Sequence, residues 1–366
     1  MPTPSLPPPP PAEVRDVTIV RRLDQESTRF DRIWEPYIAR WKDDILVAFS
    51  RRLAGKSDMG DVICARSTDQ GKTWSAPVTV FDSGLPDGSE QYAYGNAVLF
   101  HPSGQNVVWC FTMRSPLYYP DSEDASLCAA FSTDGGLSWR RVPIVVNEHA
   151  PLIVIAGVME TRVDGRPHYL LPAQRNTFQH DPLGDRQQFV LESDNLLEWS
   201  LAGYVPQAAP AKVFLHEGNL APGLAPGEIE IVMRTALLSD MRKAIDPPTA
   251  YSSVSRDGGH TWSTAKPEPR LYNTVAKGFY GADSKGRHIY VYNDGPAWAR
   301  HGLMYVVQSP EGVWSEPHSF FFANTNNSYP TLIEESPGRW LCVWDSSTDP
   351  DHRRTAIRFG TLDLNE

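Results

Sequence analysis

Short apolar runs separated by polar turns recur along almost the whole chain, and no stretch keeps the 3.6-residue rhythm of an amphipathic helix for long. The runs come in pairs: "EPYIARWKDDILVAFSRR", "GNAVLFHPSGQNVVWCFTMR", "GVMETRVDGRPHYLLPAQR", "GNLAPGLAPGEIEIVMR", "GFYGADSKGRHIYVYND" and "YPTLIEESPGRWLCVWD". Each pair reads as two strands joined by a turn rich in Gly, Pro, Asp or Ser. A third apolar run follows each of several pairs ("DVICARS", "SLCAAFS", "TAYSSVS"), and behind it comes a fixed template, S-x-D-x-G-x-[ST]-W. Intact copies end at Trp74, Trp139 and Trp262, and decayed copies at Trp199 and Trp314. The successive Trp spacings of 65, 60, 63 and 52 residues each hold about four short strands with turns, the size of a propeller blade.

This pattern predicts an all-β chain, a six-bladed β-propeller over residues 14–366 behind a proline-rich leader at 1–13. The N-terminal "DVTIVRRLD" is expected to supply the outer strand that the last unit lacks. Closing the ring in this way removes two unpaired sheet edges. In a four-stranded antiparallel blade the template falls on the turn between strands three and four. There Asp accepts backbone N–H groups, Gly supplies a positive φ and Trp packs between sheets. Asp69, Asp134 and Asp257 are therefore read as structural.

Strand parity places the ends of the second strands on the opposite face, near the axis. Those ends read Arg51, Arg114, Arg175, Arg234, Asp294 and Asp345. Four guanidinium groups around one funnel would make an anion pocket, since the arginine fork donates two parallel bonds to a planar carboxylate.

Composition narrows the partners. A net charge of -10 disfavours a general nucleic-acid binder. No apolar run reaches the ~18–20 residues of a membrane span. The N-terminal residues lack the apolar core of a signal peptide, and the compartment stays open. The four cysteines form no C-x-x-C pair and read as buried thiols rather than zinc ligands. No nucleotide-binding or metalloprotease motif is present, so no cofactor or metal is expected.

The template resembles the Asp-box of the sialidase superfamily, and the resemblance covers nearly the whole chain. It implies a carbohydrate-active enzyme, a glycoside hydrolase acting from the chain end on a bond to an acidic sugar, sialic acid-like or uronate. Sialidases bind the substrate carboxylate with three arginines and use Tyr as nucleophile, Glu as its helper and Asp as acid/base. "HEGNLAPGLAPGEIEIVMRT" resembles the segment carrying the helper and an arginine, which implies Glu217 and Arg234. "YNDGPAWARHGLMYVVQSPEGVW" implies Arg300, and "NNSYPTLIEESPGRWLCVWD" implies Tyr329 as nucleophile. "FSRRLAGKSDMGDVICARSTDQGKTW" implies Asp58, with Asp61 as the fallback. The resemblance breaks at the first arginine: "RIWEPYI" puts Trp34 in its place with Glu35 beside it. Trp34, Glu35 and His216 are candidate substrate contacts, and His149 is a weaker one. Two other readings stay open: a uronate-directed lyase with Tyr329 or His216 as base, and a sugar-binding propeller without catalysis.

Overall fold

In a computed structural model, which describes residues 13–55, 58–84, 86–87, 90–116, 125–147, 152–154, 156–175, 188–208, 212–240, 242–295, 300–323, 326–347 and 354–364, the paired apolar runs form antiparallel ladders. Hydrogen bonding groups the strands into five sheets: three of four strands, one of six and one of nine. The nine-stranded sheet is two meanders joined by the pair Gly60 and Tyr94. Gly60 has no room for a side chain, because a Cβ there would collide with the Arg51 carbonyl of the adjacent strand in its own blade. Among the described residues, the strands counted by meander fall into six groups, with inner strands Phe30–Trp41, Glu90–Phe100, Met159–Val163, Val213–Pro222, Phe279–Ala282 and Asn327–Ser336. The molecule is a β-propeller.

The ring closes as the sequence predicts. Arg15–Arg22 pairs antiparallel with Ala356–Asp363 and completes the last blade. Phe30–Trp41 packs between Asn327–Ser336 and Glu90–Phe100, and Phe279–Ala282 packs between Val213–Pro222 and Asn327–Ser336. Hydrophobic clusters fill the spaces between blades. One joins Val98, Phe111 and Leu127 to Leu171, Phe189 and Trp199. Another joins Ile33, Val47 and Phe49 to Leu341, Val343 and Phe359.

The Asp-box residues sit between third and fourth strands and bond to one another. In the first box the Ser67 hydroxyl donates to Asp69 Oδ1 (2.8 Å), and the amides of Gly71 and Thr73 donate to Ser67 Oγ (2.8 Å) and Asp69 Oδ1 (2.9 Å). The other two intact boxes repeat these bonds. Gly71 has φ +82°, and a Cβ there would strike Phe359. The box tryptophans bridge blades: Trp74 packs edge-on against Phe359 (5.4 Å) and Trp199 against Phe111 (5.7 Å). All four cysteines are free; Cys64, Cys110 and Cys342 are buried and Cys128 is half-buried. Among the described residues no helix is long and apolar enough to cross a membrane.

Candidate functional site

Four inner strands carry the same irregularity. Their ladders skip two residues against one on the second strand, between Trp34 and Tyr37, Gly95 and Val98, His216 and Asn219, and Ser328 and Thr331. This is a β-bulge. In each, the first skipped residue is not glycine yet has positive φ: Glu35 (+50°), Asn96 (+56°), Glu217 (+52°) and Tyr329 (+50°). A side chain in the left-handed region costs about 1–3 kcal/mol, and here the cost is repeated in four blades. The bulges lie at the opposite end of the blades from the Asp boxes, where the inner strands begin.

Tyr329 is the hub. Its buried ring meets Trp34 edge-on at 6.1 Å. The Arg354 and Arg300 guanidinium carbons stand 4.6 and 5.0 Å from its centroid, and Lys277 Nζ stands 6.0 Å away. Burial pushes its phenol well above the usual range, an effect that Arg300 and Arg234 oppose. Glu217 is buried but charged. Arg234 Nη1 donates to both of its oxygens at 2.8 Å, and its own amide donates to Gln174 Oε1 at 2.6 Å. Burial raises its pKa, but the charges of Arg234, His216 and Lys277 more than reverse this and hold it below the usual range. His216 precedes it, with its ring 4.3 Å from Phe214.

Glu35 is the opposite case. Burial lifts its carboxyl well above the ordinary range; Lys277 pulls it down, while Glu217, Asp58 and Asp345 push it further up. In the amide orientation that satisfies both groups, Asn96 donates to both Glu35 oxygens, at 3.1 Å to Oε1. Asp345, wholly buried, accepts from the Ser328 hydroxyl (2.5 Å) and the Glu35 amide (3.2 Å), and burial pushes it up to about 7. Lys277, buried in front of the fifth inner strand, is shifted down by burial against the pull of Glu35, Glu217 and Asp345.

Asp58 stands at the rim. Its side chain is 57% exposed, with Arg52 Nη1 3.9 Å away. The surrounding protein still displaces enough water to raise its carboxyl, against Arg52, Arg32 and Arg300. The fallback Asp61 is part of the wall, bound by Arg51 Nη2 and the Ser83 amide, both at 2.9 Å.

The expected ring of arginines is corrected in part. Arg234 and Asp345 lie opposite His216 and Ser328, just before the bulge. The matching positions opposite Trp34 and Gly95 are Ser50 and Met113. Arg51 and Arg114 come one residue later, and a one-residue offset turns a side chain to the other face of the sheet. Arg51 accordingly binds Glu26 and Asp61, and Arg114 stacks 4.2 Å over Tyr92. Arg175 ends its strand one residue after Gln174, the residue that meets Glu217; its side chain lies outside the described residues, as does His149. Asp294 follows the second strand and accepts the Gly302 amide at 3.1 Å. The sequence reading also missed Lys277, Asn96 and Arg354. Lys277-Gly278 stands where Glu217-Gly218 stands in the blade before, which was the available signal for it. Arg354, just before the strand Ala356–Asp363, occupies no repeat position and had none.

No cluster of His, Cys, Asp and Glu able to hold a metal occurs among the described residues. The arrangement offers a phenol held neutral by burial, a carboxylate held charged by Arg234, a rim carboxyl and several cations in one cluster. Such a set can transfer protons and bind an anion.

The match to known proteins agrees with this architecture. Residues 43–342 match the family described as BNR repeat-like domain. No curated relative matches the sequence. The fold is similar to a protein of unknown function from Dyadobacter fermentans (TM-score 0.70, 16% identity, covering 96% of this chain and 99% of that one). It is similar to the NanB sialidase of Streptococcus pneumoniae (0.71, 12% identity, 96% and 71%). A further likeness is the intramolecular trans-sialidase of Ruminococcus gnavus, solved with oseltamivir carboxylate (0.70, 13% identity, 95% and 97%). The chain belongs to the BNR repeat-like domain family, and its β-propeller fold is similar to that of the sialidases named above.

Proposed function

We propose that this protein cleaves a glycosidic bond to an acidic sugar, with Tyr329 as nucleophile, Glu217 as its base and Asp58 as acid/base. The observation that carries the reading is the pair of opposite environments at Tyr329 and Glu217. The phenol is kept neutral by burial, and the adjacent carboxylate is kept charged by Arg234. Two neighbouring groups pushed apart in this way are the mark of an assigned base and an assigned proton donor. A neutral nucleophile also suits an anionic substrate, which a carboxylate nucleophile would repel; sialidases are the glycosidases known for a Tyr nucleophile.

The steps balance without a cofactor. Tyr329 Oη attacks the anomeric carbon and its proton passes to Glu217. The glycosidic C–O bond breaks, and the leaving oxygen takes the electron pair together with the Asp58 proton. Asp58 then removes a proton from water, whose oxygen displaces the tyrosine from the sugar, and Glu217 returns the proton to Tyr329. The raised carboxyl of Asp58 supports the first of its two tasks, because a higher pKa keeps more of it protonated near neutrality. Arg234, Arg300 and Arg354 supply positive charge around the site.

A panel of aryl sialosides, glucuronides, rhamnosides and arabinosides tests the reading. Release of the aryl group from one of the acidic glycosides, reduced at least ~100-fold in Tyr329→Phe and Glu217→Gln, is the expected result. Turnover that survives both substitutions would refute it. A product with the ultraviolet absorbance of an unsaturated uronate would assign the site to a lyase instead.

A further inference from the structure

We propose that Arg354 is the specificity-determining residue for the ligand's negative charge, gripping a carboxylate over the ring of Tyr329. The inference rests on the acidic-sugar reading above and names the group that enforces it.

Arg354 reaches the axis from an unusual direction. It sits just before the third strand of the last blade, whereas Arg234 lies within a second strand, opposite His216 beside the bulge. Its side chain is 10% exposed, and its guanidinium carbon lies 4.6 Å from the Tyr329 ring and 4.8 Å from the Trp34 ring. Two aromatic faces therefore hold the planar head by cation–π contact. Such contacts engage the face of the guanidinium and leave its N–H edge to be satisfied. Nη1 has no hydrogen-bond partner among the described residues.

Arg234, Arg51 and Arg52 are differently placed. Arg234 is matched by Glu217 at 2.8 Å, Arg51 by Asp61 and Glu26, and Arg52 by Asp31. Among the described residues the carboxylate nearest Arg354 is Asp345, 3.9 Å from Nε. Asp345 already accepts from Ser328 and the Glu35 amide, and with its carboxyl near 7 it carries only part of a charge at neutral pH. A desolvated guanidinium with so weak a counter-ion is an unfavourable arrangement in the empty protein. It becomes favourable when a ligand brings a carboxylate, whose two oxygens fit the planar fork. Arg300, 5.0 Å from the same ring, adds a second positive charge at that point. Trp34 acts here as the platform that orients Arg354.

The test is a binding measurement on the full chain, by calorimetry, with glucuronate and N-acetylneuraminate each compared with its carboxamide. The amide keeps the shape and removes the charge. Wild-type protein is expected to prefer the acid. Arg354→Gln is expected to weaken binding of the acid about 10- to 100-fold, the loss of a charge-assisted bond, while binding of the carboxamide changes less than about threefold. Arg354→Lys, which keeps the charge and loses the fork, is expected to lie between; it also serves as the readout if Arg354→Gln does not fold. An acid preference that persists unchanged in either folded variant overturns the role of Arg354 while leaving the acidic-sugar reading intact. Wild-type protein that binds neither acid better than its amide overturns both.

Discussion

Replacing Arg234 with Met keeps most of the apolar stem and removes the charge that holds Glu217. Both side chains are about nine-tenths buried, at 8% and 10% exposure, so solvent screens the pair little. Breaking one side of a buried ion pair costs about 3–5 kcal/mol, because the remaining charge is stranded. The penalty depends on pH with a sign fixed by Glu217. In the wild type its folded pKa is depressed, so it contributes stability above its unfolded pKa and loses it as the pH falls. Without Arg234, burial dominates and the folded pKa rises above the unfolded one. The variant then loses stability as the pH rises through that interval. Equilibrium urea unfolding should therefore give a penalty of about 3–5 kcal/mol at pH 7.5 and less than half of that at pH 4.5. Adding Glu217→Gln to Arg234→Met should recover most of the loss at pH 7.5, as a double-mutant cycle would show. An equal penalty at both pH values, undiminished by Glu217→Gln, would refute the idea that these residues form one electrostatic unit.

Trp199→Ala, which empties a fully buried site between the second and third blades, should destabilise by about 3–5 kcal/mol and leave sugar affinity unchanged, by calorimetry on the folded protein. Glu35 has a folded pKa above its unfolded one, so it contributes stability below about pH 4.5 that is lost as the pH rises. Glu35→Gln should flatten the fall in unfolding free energy between pH 5 and pH 8, and an unchanged slope would count against the assignment. Deleting residues 1–22 removes the strand paired to Ala356–Asp363 and exposes a sheet edge. Thermal scans and light scattering should show a lower midpoint and self-association, both reversed by a peptide of residues 13–25.

The architecture was legible because it is repeated. A periodic Trp and a paired apolar run leave several copies of the same signal, so decay in one box, such as Asn195 in place of Asp, is outvoted by the rest. Asn195 even keeps the geometry, accepting the Leu197 and Glu198 amides at 2.9 Å. A cluster was legible where one residue carries a fixed context: Glu217, Arg234, Arg300 and Tyr329 lie close enough to interact with one another. Register was not legible. The residue before the bulge and its partner are 16 positions apart for Trp34 and Ser50, 17 for Ser328 and Asp345, and 18 for His216 and Arg234. Counting by equal spacing therefore slipped by one and selected Arg51 and Arg114 in place of Ser50 and Met113. Arg354 was invisible for a different reason: its role depends on reaching across from the outer half of a blade, which no period along the chain records.

The most direct test of the account is a crystal structure of the protein with a bound carboxylated sugar, glucuronate or N-acetylneuraminate. The account predicts the carboxylate within hydrogen-bonding distance of Arg354 and Arg300, and the anomeric carbon beside Tyr329 Oη with Glu217 behind it. A sugar bound instead in the groove of about 1030 Å³ lined by His168, Glu192 and Arg256, with no contact to Tyr329, would contradict it.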